Sequence, residues 1–136
     1  MPKVLTRISS VTMQKNTLPT ALRFMHSTGD VAFQLSASHA GGIIDNRGAT
    51  GAMMVTLPGA RKGAEFHFIV VEAQELRIHP HSNTGRIECD IAGTWTNNPA
   101  GEYVDANAGG EFLHLVCKGS DTWMAIAFGG TWSAEN

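Results

Sequence analysis

Residues Ala64–Pro80 read AEFHFIVVEAQELRIHP, two short apolar runs divided by Glu-Ala-Gln-Glu. On a strand, side chains alternate between faces, so Phe66, Phe68 and Val70 point one way and His67, Ile69 and Val71 the other. Both sets are largely apolar, which asks for cover on both faces. One cover is the domain's own core; the other is a second sheet, a loop layer or another subunit. EFLHLVCKG (Glu111–Gly119) has the same character, with Phe112, His114 and Val116 opposing Leu113, Leu115 and Cys117. DTWMAIAFGGTW (Asp121–Trp132) adds a further strand, Trp123, Ala125 and Ala127 opposing Met124, Ile126 and Phe128.

Working outward, residues 41–93 are short apolar runs cut by Gly, Pro, Asn and Asp, the grammar of strands and turns. No strand–helix alternation occurs, so an all-β sandwich or barrel is expected over residues 41–136. Residues 1–40 read as an extended N-terminal arm with the first strands, PKVLTRISSV and DVAFQLSAS being the strand-like pieces. Gly-Thr-Trp occurs at Gly93–Trp95 and Gly130–Trp132, too briefly to mark a repeat. A Trp beside a Gly turn reads as a hydrophobic plug at a sandwich end.

The chain has 136 residues, the size of one domain, with 43% hydrophobic and 16% charged residues. The net charge of −2 carries no nucleic-acid signature. Its distribution is uneven. Residues 1–30 hold Lys3, Arg7, Lys15 and Arg23 against Asp30, a charge of +3, whereas the rest has six basic and eleven acidic side chains, a charge of −5. A basic arm on an acidic body can dock on an acidic neighbour. Cys89 and Cys117 sit in strand-like contexts and are expected as reduced core thiols. Met1–Asn16 lacks the apolar stretch of a signal peptide, and no run approaches a membrane span of roughly 18 residues. A soluble protein made in the cytoplasm is expected.

Chemistry-bearing motifs are scarce. His79 and His81 share a face of a strand and could supply two metal ligands. With Glu88 they approach the His-x-His…Glu pattern of small β-barrel metalloenzymes, but six residues separate His81 from Glu88 where that pattern has three or four. Pro80 removes a ladder donor, so HPHSNTG reads as a strand exit into a turn. His67 and His114 lie within apolar runs and are expected as hydrogen-bonded core or interface residues. In a symmetric trimer, a single histidine repeated on the axis could bind an ion that no linear motif would reveal. Glu102, Asp105 and Glu111 cluster in sequence without the spacing of a calcium loop, so a solvated acidic loop is expected. There is no Gly-x-Ser-x-Gly elbow and no phosphate loop, and Ser120–Asp121 reads as a hairpin turn.

NRGATGAMMVTLPGARKGAEFHFIVVEAQELRIHP (Asn46–Pro80) and AGEYVDANAGGEFLHLVCKGSDTWMAIAFGGTW (Ala100–Trp132) resemble small β-rich virion proteins of tailed bacteriophages. The shared elements are an Asn-x-Gly-Ala-Thr-Gly turn, a strand ending Thr-Leu-Pro, a Phe-x-Phe-x-Val strand, a Leu-x-Ile-x-Pro strand and a closing Gly-Thr-Trp. The chain departs from that pattern at Pro80–His81. The resemblance covers roughly residues 41–133 and implies a jelly-roll-like sandwich or barrel that assembles as a homotrimer.

The implied function is non-enzymatic: a capsid decoration (cement) protein on the outside of a phage head, bound to the major capsid protein. It implies no cofactor, metal, nucleic acid, membrane or small-molecule substrate. Lys3, Arg7 and Arg23 are the expected capsid-binding residues of the arm, and His67, Phe68 and Trp132 those of the trimer interface. The alternative is a fibre or spike domain binding a host glycan or protein, with Trp95 and Tyr103 as stacking residues. A chain of 136 residues, if complete, has room for neither a coiled coil nor a triple-stranded shaft, which favours decoration. A metal-dependent enzyme built on His79, His81 and Glu88 is the third reading.

Overall fold

The structure, a computed structural model, describes residues 25–27, 32–59 and 61–135. Among these, twelve strands form two sheets: β1 (Met25–Ser27), β2 (Phe33–Gln34), β3 (Ile43–Asp45), β4 (Met53–Thr56), β5 (Glu65–Ile69), β6 (Leu76–His79), β7 (Arg86–Ile91), β8 (Thr94–Asn97), β9 (Val104–Ala106), β10 (Phe112–Gly119), β11 (Thr122–Gly129) and β12 (Ser133–Ala134). The larger sheet runs β1-β3-β5-β10-β11-β7-β8 and the smaller β12-β9-β6-β4-β2. They pack face to face as an all-β sandwich. Strands β1 and β2 pair within it, so the sandwich begins before residue 41.

The first half is wound as a coil. From β1 to β6 the chain alternates between the sheets, and each strand lies parallel to the one before it in the same sheet: β1, β3 and β5 on one side, β2, β4 and β6 on the other. Among the described residues no hairpin joins these strands, and the connections hold only one short 3-10 turn, Ala37–His39. The second half closes the coil with antiparallel strands, β10 against β5 and β9 against β6.

Asn46 holds the coil together at a corner. Its side chain is fully buried. Its Oδ1 accepts the Val71 and Glu72 N–H groups at 2.7 and 3.0 Å, and its Nδ2 donates to the Glu72 and Gln74 carbonyls at 3.2 and 3.1 Å. One amide thus satisfies four backbone groups of the turn between β5 and β6, which would otherwise be costly to bury. A tight approach closes the other side: a Cβ at Gly85 would meet the Pro80 Cβ at 2.9 Å and the Asp121 carbonyl oxygen at 3.2 Å.

The core lies between the sheets. Phe66, Phe68, Leu113, Leu115 and Trp123 come from the larger sheet, and Val55, Leu76, Ile78 and Val104 from the smaller. Phe66 packs against Trp123 with ring centroids 5.7 Å apart. The expected alternation holds through β5 and β10 but breaks in β11. Leu115 faces Ala125 and His114 faces Ala127, so Ile126 is an extra, bulged residue, and Ala127 turns out of the core. Trp132 is the buried plug of the second Gly-Thr-Trp, donating Nε1–H to the Phe112 carbonyl at 3.0 Å. The first copy differs, because Trp95 is 52% exposed on edge strand β8. Cys89 and Cys117 are both buried, and burial pushes the Cys89 thiol up to about 12.

Candidate functional site

The outer face of the larger sheet carries the side chains that the core leaves over. On β5 these are Glu65, His67 and Ile69; on β10 they are Phe112, His114 and Val116. Antiparallel register sets Ile69 opposite Phe112, His67 opposite His114, and Glu65 opposite Val116. The two imidazoles stack with centroids 3.6 Å apart and planes inclined by 23°. Glu65, diagonal to His114, accepts the His114 Nε2–H on Oε1 at 2.7 Å, and the His67 Nε2 lies 3.8 Å from the same oxygen. One ligand atom from each of the three residues lies within 4.8 Å of the others.

Apolar groups frame this trio. Ile69 and Phe112 are 36% and 40% exposed, and the Phe112 ring lies over Gly129 on β11. Val116 faces Met124, both half-buried. Farther along, Lys118 pairs with Glu88 at 3.0 Å. The sheet thus presents a apolar stripe with an embedded His-His-Glu cluster and a charged margin. No pocket opens among the described residues.

Other expected site residues are dispersed. Phe68 and Trp132 are spent in the chain's own core and have no surface to give a partner, which corrects their assignment to a trimer interface. His67 alone of that set lies on the outer face. Lys3, Arg7 and Arg23 lie outside the described residues. His79, in the smaller sheet, bonds through Nδ1 to the Pro80 carbonyl at 2.7 Å; His81 is exposed in the following turn; Glu88 faces Lys118 on the larger sheet. They build no common centre. Trp95 and Tyr103 stand on strands or loops of different sheets, and the Tyr103 ring is covered by the Arg77 guanidinium at 5.1 Å.

The three acids near residue 105 have separate tasks. Glu111 accepts the Asn107 and Ala108 N–H groups on one oxygen and the Thr131 N–H on the other. Burial works to raise its pKa, but these three donors together hold it below the usual carboxylate range. Asp105 stands beside Glu75 and Arg77 on the smaller sheet. Burial first, and then the adjacent Glu75 carboxylate, push Asp105 up to about 7, while the Arg77 guanidinium holds Glu75 low. Arg77 donates Nη2–H to Glu75 Oε1 at 3.0 Å, and its Nε forms an ion pair with Oε2 at 2.9 Å without hydrogen-bond alignment.

The Glu65–His67–His114 cluster escaped sequence reasoning because its members come from strands paired only in the fold. Its one sequence signal was a histidine at an outward position in each of two doubly apolar strands. No protein-family model matches the chain, and no curated protein matches it.

Proposed function

We propose that the chain is a structural, self-assembling virion protein that decorates the outside of a phage head as a homotrimer and clamps neighbouring major capsid subunits. The observation carrying this reading is the exposed Ile69–Phe112 pair beside His67 and His114, on an outer sheet face that water covers at a cost. Three copies burying that face account for the apolar outer sides of β5 and β10. The interface set becomes His67, Ile69, Phe112 and His114. Lys3, Arg7 and Arg23 are the arm residues proposed to hold the acidic shell, and attachment weakens as salt screens them. Three modest contacts on one rigid trimer bind far more tightly than one.

Sedimentation equilibrium at micromolar concentration tests the assembly. The expected mass is three times 14.5 kDa. Phe112→Asp is expected to give a folded monomer by circular dichroism, and to lose binding to undecorated shells in a pelleting assay. A monomeric parent protein would overturn the reading. The exposed Trp95 favours one second reading, a host-binding fibre domain. Retention on immobilised glycan that Trp95→Ala abolishes, with no shell binding, would select it.

A further inference from the structure

We propose that Glu65, His67 and His114 form a binding site for a divalent transition-metal ion, zinc foremost. The donor set is two imidazoles and one carboxylate, borderline ligands suited to zinc and its late first-row neighbours rather than to calcium or magnesium, which take oxygen ligands. Ligand atoms around zinc lie at about 2.0–2.2 Å from the ion, which places them roughly 3–3.5 Å from one another. The present separations of 2.7 and 3.8 Å to Glu65 Oε1 bracket that spacing. All three ligand atoms already lie within 4.8 Å of one another, so closing on an ion asks for side-chain adjustment and no change in strand pairing.

The backbone does the positioning. His67 and His114 are directly paired across β5 and β10, in the middle of the larger sheet, so register rather than a loop fixes the ligands. Ile69, Phe112 and Val116 surround the cluster with apolar surface, which strengthens ion–ligand attraction. The Glu65 and His67 side chains are 43% and 31% exposed in the single chain, so an ion enters from solvent before a partner copy covers that face. Three protein ligands leave a fourth position open on the outer face, for water or for a donor from a facing molecule.

The test is calorimetric titration of chelator-treated protein with zinc chloride, with cobalt(II) absorption as the readout of ligand geometry. One ion per chain is expected. Loss of a supporting residue behind a ligand already costs 10–100-fold in affinity, so Glu65→Gln and His114→Ala are each expected to weaken binding by about 100-fold or more. The double variant His79→Ala/His81→Ala is expected to bind as the parent does. Glu65→Gln is nearly isosteric and keeps the test valid should His114→Ala fail to fold. Absence of zinc binding, or binding that Glu65→Gln leaves unchanged, would overturn the site. The titration needs neither shells nor a defined oligomer, so its failure is distinct from failure of the assembly reading.

Discussion

At the scale of single residues, a few buried polar groups carry more than their share. Asn46 spends all four of its hydrogen-bonding positions on the turn after β5, so Asn46→Ala strands several buried backbone groups at once. The expected loss is roughly 3 kcal/mol of stability, read as a lower urea midpoint with an unchanged slope. The residue stood in plain view in the sequence as the head of an Asn-x-Gly-Ala-Thr-Gly turn. Its task was not legible, because its partners lie 25 to 28 positions away. The same holds for the His-His-Glu cluster. The outward placement of His67 and His114 followed from alternation, but Glu65 and His114 are 49 positions apart, and no local pattern reports that register.

At the scale of elements, two hairpins turn through left-handed backbone. Ala92 and Gly93 join β7 to β8 at φ 51° and 92°, and Ser120 and Asp121 join β10 to β11 at φ 52° and 56°. Such pairs are the mirror-image turns that suit strand twist, and Asn tolerates the first position better than Ala. Ala92→Asn is therefore expected to raise stability by up to about 1 kcal/mol, seen as a higher denaturation midpoint. Strands β5, β10 and β11 were readable from their period of two, because they are long enough to show it. The parallel coil was not. Its rungs are two to five residues long, and pairing direction leaves no mark in so short a run. The bulge at Ile126 likewise defeats a strict alternation, which is why Ala127 was placed on the wrong face.

At the scale of the molecule, the two outer faces differ in kind. The larger sheet shows apolar groups and histidines, and the smaller a charged network of Glu75, Arg77 and Asp105. Asp105 titrates near 7 in the folded chain against 3.8 as a free side chain. Below about pH 4 both states hold the proton. Between about 4 and 7 the unfolded chain releases it while the folded chain keeps it, so this group lowers stability as pH rises through that window and levels off above it. Glu75, held low by Arg77, acts oppositely but only below its ordinary value of 4.5. Asp105→Asn is expected to flatten the decline and leave the protein more heat-stable near pH 8 than its parent, as melting curves across the pH range would show. The coil has a last consequence, for synthesis. Its final rungs, β5 and β6, find their outer neighbours only in β10 and β9. A ribosome adding about 5–20 residues per second needs several seconds to pass from Ile69 to Phe112, and for that interval a growing chain offers bare strand edges to its siblings. The pace of translation across residues 70–111, rather than the stability of the finished sandwich, then sets how many chains pair with themselves and how many with one another.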